Sequence, residues 1–137
     1  MLIHKISYID LNGVTCEDTL YFNLSKVDIA KLQVKGDGTF IDQLKGWLKD
    51  KKIENVFNFF YNLVLDSYGE KSEDGKRFIR TPEMRKQFEE SRAFDEFFAD
   101  VISTDEKMTN FVRAVIPYTL PEDIPDVASI GSGDGAN

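Results

Sequence analysis

Residues Tyr68 to Arg80 read Y-G-E-K-S-E-D-G-K-R-F-I-R. This polar, glycine-punctuated segment lies between two sets of aromatic-rich stretches with helical spacing, and its reading decides how those stretches are joined. Gly69, directly after Tyr68, is placed as the C-terminal cap of the preceding helix, a position that favours positive φ. Asp74-Gly75 is a turn pair. Lys76-Arg77-Phe78-Ile79-Arg80 then leaves the turn extended, with Phe78 or Ile79 anchored in the core. The segment is expected to join two packed helical units. Its basic residues Lys71, Lys76, Arg77 and Arg80 outnumber its three acids. They either pair with the acidic helices that follow, each exposed pair contributing little, or reach a partner.

Upstream, residues 53–68 carry Val56, Phe57, Phe59, Phe60, Tyr61, Leu63, Val64 and Leu65, with apolar side chains on more than one helical face. Such a helix is central in the fold or is covered by a partner; the first is preferred. Before it, Phe40, Leu44, Trp47 and Leu48 recur at helical spacing behind a Thr39/Asp42 cap pattern. Gly46 inside that helix weakens it by about 1 kcal/mol relative to Ala, which suggests a close contact. Lys49–Lys52 form a basic, solvated helix end. A shorter helix from about Lys26 to Gln33 starts at a Ser25/Asp28 cap, presents Val27, Ala30 and Leu32 or Val34, and ends at Gly36-Asp37-Gly38. Residues 2–23 predict a β-hairpin: Ile3, Ile6, Tyr8 and Ile9 on one strand, Val14, Thr19, Tyr21 and Phe22 on the other, and Asn12-Gly13 as a type I′ turn.

Downstream, Thr81-Pro82-Glu83 is a helix start, with Met84 and Phe88 one turn apart. Ser91 caps a helix with the stripe Phe94, Phe97, Phe98, Val101 and Ile102. Ser103 and Glu106 form a capping box for a last helix bearing Met108, Phe111, Val112, Val115 and Ile116, stopped by Pro117. From Leu120 the periodicity fails and the composition is that of a flexible tail. The fold class expected is α+β, mainly α: an N-terminal β-hairpin packed on a bundle of about five or six short helices. Residues 1–118 form one globular domain, with the hairpin over 2–23 and the helices over 25–117, and 119–137 a disordered C-terminal tail.

The 137 residues are 42% hydrophobic and 30% charged, enough chain for one domain with a real core. No apolar run reaches membrane-spanning length, and Met1-Leu2-Ile3-His4-Lys5 is not a signal peptide, so a cytoplasmic location is expected and a membrane partner is not. Net charge is −7. Residues 1–52 hold eight Lys against seven Asp/Glu, a balance of +1, and the remainder nine Lys/Arg against seventeen Asp/Glu, a balance of −8. An acidic half repels phosphate backbones and argues against nucleic acid.

Candidates for catalysis are few. Cys16 and His4 are each the only residue of their type, so a Cys/His metal site or nucleophilic pair has only these two to draw on; a half-buried Cys and an exposed His is the preferred reading. The Walker spacing is absent around Gly36 and Gly38, and Gly131-Ser132-Gly133 is not a nucleophile elbow. Glu73/Asp74 and Asp95/Glu96 lack a spacing that converges them on a metal or a glycosidic bond. The expectation is a non-enzymatic protein without cofactor or metal.

Tyr21-Phe22-Asn23-Leu24, the Y-G-x-K-S-x-D-G-x-x-F-I order at Tyr68, Gly69, Lys71, Ser72, Asp74, Gly75, Phe78 and Ile79, and the Phe88, Ala93-Phe94, Phe97 and Phe111…Ile116-Pro117 frame resemble tail assembly chaperones of long-tailed (siphovirus-type) bacteriophages. The likeness is greatest to those of phages and prophages of Gram-positive hosts, and covers residues from about 20 to 117. It implies a mostly helical protein that binds the tape measure protein, keeps it soluble, helps tail tube subunits polymerise around it, and is absent from the finished virion. Partners are then the tape measure protein and the tail tube protein, with homo-oligomerisation left open. It also implies that a frameshifted longer form would join after Pro117. The residues proposed for partner contact are Phe59, Tyr61, Lys71, Lys76, Arg77 and Arg80. The rival classes are another phage structural or adaptor protein of the head–tail completion type, and a small host-interaction regulatory protein.

Overall fold

The computed structural model describes residues 1–34 and 40–116, with side chains described over 1–31 and 43–116. Among these, a four-stranded antiparallel sheet packs with six helices, in the order β1(Leu2–Ile9), β2(Thr15–Phe22), α1(Lys26–Val34), α2(Phe40–Lys49), α3(Ile53–Ser67), β3(Tyr68–Lys71), β4(Phe78–Ile79), α4(Pro82–Glu89), α5(Arg92–Val101) and α6(Asp105–Val115). The mainly helical α+β class holds. The expectations at Gly36-Asp37-Gly38, Thr39, Pro117 and the C-terminal tail lie outside the described residues, as do the side chains of Leu32, Val34, Phe40 and Asp42.

The largest departure from expectation is in Tyr68–Arg80. It is not a linker between helical units but a second hairpin, β3–β4, which extends the N-terminal hairpin into one sheet of order β1-β2-β3-β4. β3 pairs with β2 through Tyr21↔Gly69 and Phe22↔Tyr68, and with β4 through Glu70↔Ile79 and Lys71↔Phe78. The chain passes from α3 straight into β3. Tyr68 takes extended angles (φ −73°, ψ 139°) and its N–H donates to the Leu65 carbonyl. Gly69 is therefore not a helix cap. It is buried inside the sheet, and an added Cβ would lie 2.5 Å from the Ile79 carbonyl oxygen and 2.7 Å from Phe78 Cε2. Close approach of β4 requires glycine here.

The turn of this hairpin is built as its sequence suggests. Gly75 has φ +75°, and its N–H donates to the Ser72 carbonyl at 2.9 Å. Ser72 Oγ donates to Asp74 Oδ1 at 2.7 Å and accepts from the Arg77 N–H at 3.0 Å, while the Lys76 N–H donates to the same Asp74 oxygen. One short polar side chain at each end of the turn thus replaces missing ladder bonds.

The first hairpin differs in its loop. Asn12 does not take positive φ; Gly13 does, at +82°. Asp10 Oδ1 accepts from the N–H groups of Asn12 and Val14, and the Asp10 and Val14 backbones bond at 2.9 Å. A carboxylate able to accept two backbone N–H groups favours this wider loop over a two-residue type I′ turn.

Phe22 is the centre of the core, with no exposure. Its ring stacks on Phe97 at 4.7 Å and meets Phe111 at 5.5 Å, Tyr68 at 5.8 Å and Phe88 at 6.0 Å. One side chain therefore touches β3, α4, α5 and α6, and Phe→Ala truncation at such a site costs about 3–5 kcal/mol. The α5 and α6 stripes are buried as expected: Phe94, Phe97, Phe98, Val101, Met108, Phe111, Val112, Val115 and Ile116.

Capping is mixed against expectation. Ser25 and Asp28 bond reciprocally, the Asp28 N–H to Ser25 Oγ and the Ser25 N–H to Asp28 Oδ2. Thr81 and Ser91 cap α4 and α5. The cap of α6 is Thr104, which accepts from the Lys107 N–H, not Ser103; the Ser103 hydroxyl donates to the Asp100 carbonyl at the end of α5 instead. In α1, Val27 and Ala30 point to solvent and Ile29 is buried. The capping bonds and the Arg80 ion pair hold Asp28 toward the body of the protein, which turns its neighbour Ile29 inward. Among the described residues, none lies within 4 Å of a Cβ added at Gly46, so no close contact with them accounts for it.

Candidate functional site

Helix α3 is divided along its length. Its C-terminal half is core: Phe60, Leu63, Val64, Leu65 and Ser67 are buried, and the Ser67 hydroxyl is satisfied by the Leu63 carbonyl at 2.7 Å. Its N-terminal half is not. Ile53 is 77% and Phe57 43% exposed, and Val56 is half-buried. The apolar surplus that the sequence shows on several faces is thus divided by position along the helix: the C-terminal half is core and the N-terminal half is partly exposed.

Two clefts flank this helix. One, of about 900 Å³, has an apolar floor of Trp47, Leu48, Ile53, Val56, Phe57, Ile102 and Met108, with Lys45, Lys49, Lys51, Lys52 and Asp105 around it. The other, of about 800 Å³, is lined by Leu24, Trp47, Phe59, Leu63 and polar groups including Asp28, Asn58, Asn62, Asp66 and Arg80. Trp47 borders both and meets Phe59 edge-on at 6.1 Å.

The six residues proposed for partner contact fall in three places. Phe59 and Arg80 share the second cleft. Tyr61 belongs to an aromatic cluster with Phe57, Phe94 and Phe98 at centroid distances of 5.4–6.1 Å, and its hydroxyl donates to Glu89, a bond that pushes the Tyr61 pKa up, helped by partial burial. Lys71, Lys76 and Arg77 are exposed on the β3–β4 hairpin. The basic residues of the hairpin do not pair with the helices that follow it. Arg80 reaches back to Asp28 at 2.7 Å and to the Asp66 carbonyl at 2.9 Å, both on preceding helices, because β4 runs antiparallel beside β3 and returns to the end of α3. Lys71 Nζ donates to the Ser72 carbonyl.

Burial raises the pKa of Tyr68 and Cys16, whereas local hydrogen bonds account for the direction of the shifts at Asp74, Asp10, Asp28 and Tyr8. Asp74 is held below the usual carboxylate range by the Lys76 N–H and Ser72, and Asp10 by the N–H groups of Val14 and Asn12. Partial burial pushes Asp28 up, but bonds from Ser25 and the Arg80 guanidinium outweigh it and hold the carboxyl low. Tyr8 is pushed up to about 12 by its hydroxyl bond to Asp18. These groups sit at turns, a cap and strand pairs and do not converge on one cleft, as an acid–base site requires. His4 and Cys16 are not neighbours: His4 pairs with Leu20 and Cys16 with Tyr8. His4 is not simply exposed, because its ring packs edge-on against Phe97 at 4.9 Å. Among the described residues, no three His, Cys, Asp or Glu are grouped to hold a metal, and no helix is long and apolar enough to cross a membrane.

Large apolar side chains are exposed on the first hairpin (Ile3, Ile9, Leu11 and Val14) and on the helices (Val27, Ile53 and Phe57). The phage tail assembly chaperone family matches the chain over residues 1–129. The chain belongs to this family. The match takes in the N-terminal hairpin as well as the stretch from about residue 20 to 117 that carries the resemblance in sequence. Neither the curated proteins nor the solved structures gave a match. For a tail assembly chaperone, a role in assembly among tail-related proteins follows. The site-bearing feature missed in sequence is the first cleft: its lysines read as a solvated helix end, and Ile102 and Met108 as core. The available signal was Ile53, an apolar residue at the start of a helix and next to four charged or lysine-rich positions.

Proposed function

We propose that this protein is a non-enzymatic chaperone that binds the tape measure protein, keeps it soluble and assists polymerisation of the tail tube around it. It acts in the cytoplasm of the host cell and is absent from the finished virion. The phages concerned are long-tailed, siphovirus-type phages or prophages of Gram-positive bacteria. The observation that carries this reading is the exposed apolar half of α3, Ile53 and Phe57 with Val56 beside them, in a member of the tail assembly chaperone family. A long helical chain with unburied apolar stripes aggregates unless those stripes are covered. Helix-in-groove docking covers them, using anchors at i, i+3, i+4 and i+7. Phe59 and Arg80 in the second cleft, Tyr61 in the ring cluster, and Lys71, Lys76 and Arg77 on the hairpin are proposed as further contacts.

Co-expression with the tape measure protein of the same gene cluster tests the proposal. Its soluble fraction is expected to rise with this chain present and to fall back with Ile53→Asp and Phe57→Asp, both at exposed positions. Equal solubility with and without the chain refutes it. Mass spectrometry of purified particles separates the chaperone from a head–tail completion protein, which would remain in the virion.

A further inference from the structure

We infer that the cleft between the α2–α3 junction and the α5–α6 corner takes an amphipathic helix whose apolar stripe is flanked by acidic residues. This inference rests on the chaperone reading and names the chemistry of the segment bound. Among the described residues, Lys45, Lys49, Lys51 and Lys52 line the cleft against a single acid, Asp105, a local balance of +3 on a chain whose net charge is −7. All four lysines are exposed, and none makes an ion pair with another described residue. Asp50 and Glu54, in the same stretch, do not line the cleft. The first turn of α3 opens beside these lysines with no side-chain cap, so the positive end of the helix dipole adds to the same field.

The floor and the rim make different demands. An apolar floor of this width accepts any helix with a hydrophobic stripe. The rim discriminates: acidic flanks meet four exposed ammonium groups, whereas basic flanks meet like charge. Because the protein as a whole is acidic, its long-range field attracts basic peptides. A preference for acidic flanks therefore has the opposite sign to non-specific attraction and is diagnostic of the cleft.

Trp47 on the cleft floor is the chain's one tryptophan, so its fluorescence reports binding beside it; because it also borders the second cleft, the lysine variants below assign the response to this one. The full chain is titrated with two synthetic peptides of about 20 residues, long enough for several helical turns. They share one leucine stripe at i, i+3, i+4 and i+7, lack aromatic residues, and carry either Glu or Lys along both flanks. Exposed ion pairs are individually weak, so four together are expected to favour the Glu peptide by about tenfold. The preference should fade at about 1 M salt, where the screening length is about 3 Å. The variant Lys45→Glu, Lys49→Glu, Lys51→Glu, Lys52→Glu should reverse it; if that variant does not fold, Lys45→Glu with Lys49→Glu should reduce it. Equal affinity for the two peptides, or tighter binding of the Lys peptide, overturns the inference. So does a Trp47 response that follows only self-association of the chain, or one seen only with small apolar molecules. If neither peptide binds but the chain still solubilises the tape measure protein, the cleft is wrong and the chaperone reading stands. If solubilisation is also absent, the chaperone reading itself fails.

Discussion

Gly69→Ala and Gly46→Ala place the same added methyl group in two opposite environments. At Gly69 the new Cβ would meet the Ile79 carbonyl oxygen at 2.5 Å, Arg80 Cγ at 2.7 Å and Phe78 Cε2 at 2.7 Å. The first contact is with backbone, which a rotamer change cannot relieve. Relief requires β4 to move away from β3, and that strains Glu70↔Ile79 and the Arg80 bonds to Asp28 and Asp66. Overpacking of this kind costs about 1–3 kcal/mol, and the backbone contact argues for the upper end. The stiffer unfolded chain returns about 0.4–1 kcal/mol, leaving a net loss of about 2 kcal/mol. At Gly46 no described residue lies within 4 Å of the added Cβ and the site is inside a helix, so Ala is expected to stabilise by about 1 kcal/mol. Urea denaturation followed by far-UV circular dichroism reads both. With a slope of about 1–3 kcal/mol per molar, Gly69→Ala should lower the midpoint by about 1 M and Gly46→Ala raise it by about half as much. An unchanged or higher midpoint for Gly69→Ala would falsify the placement of Tyr68–Arg80 as a strand pair in the sheet.

Phe22→Ala should cost about 3–5 kcal/mol, a large part of the 5–15 kcal/mol typical of a domain; a loss in melting free energy under 2 kcal/mol, on the same scale, would remove Phe22 from the centre of the core. Thr104→Ala should destabilise by about 1 kcal/mol through loss of the α6 cap, and more than Ser103→Ala in the same denaturation assay; the reverse order would restore Ser103 as the cap. Asp28 has a folded pKa below its ordinary value of 3.8, so the unfolded state binds the proton first as pH falls. Its stabilisation is present at neutral pH and lost as pH drops below about 4 through the lower folded value. Asp28→Asn should therefore be less stable than the parent at pH 7, by about 1 kcal/mol or less for so exposed a pair, and converge with it near pH 2. A gap in urea midpoints that stays constant with pH would show that the carboxylate charge contributes nothing.

Periodicity made α5 and α6 legible because each has a one-sided job. The stripes Phe94–Ile102 and Met108–Ile116 face one core, so spacing alone identifies them. Tyr68–Arg80 was not legible as part of the sheet because its strands are four and two residues long, too short for alternation to register. Its pairing with β2 is a contact across more than forty residues of chain, which no local pattern encodes. Gly69 illustrates the cost of local reasoning. A glycine after a helical run reads as a left-handed cap, yet the constraint here is lateral, from a carbonyl ten residues further on. The Ser103/Thr104 ambiguity has a similar root: both hydroxyls have a partner within one turn, and the angle between α5 and α6 decides which one serves which helix. The sequence also carried the partner-contact residues as a set, whereas the fold separates Phe59 and Arg80 from Tyr61 and from the hairpin lysines, because residues two apart on α3 lie on different faces.

The two halves of α3 explain how a small chain can hold a stable fold and still expose apolar surface. Phe60, Leu63, Val64 and Leu65 secure the helix against the sheet and the α4–α6 layer, so the register of the whole helix is set by its C-terminal end. Ile53 then stands at a fixed position outside the core, while Val56 and Phe57 pack on its edge and leave part of their surface open, and the exposed part costs the fold little beyond foregone burial of about 25 cal/mol per Å². The same foregone burial is what a bound helix recovers. Truncations in the buried half should therefore lower stability and binding together, while Ile53→Asp, at the more exposed position, should weaken binding at nearly unchanged stability. If substitutions in the exposed half unfold the protein as readily as those in the buried half, α3 is core throughout and its apolar surface is not a docking site.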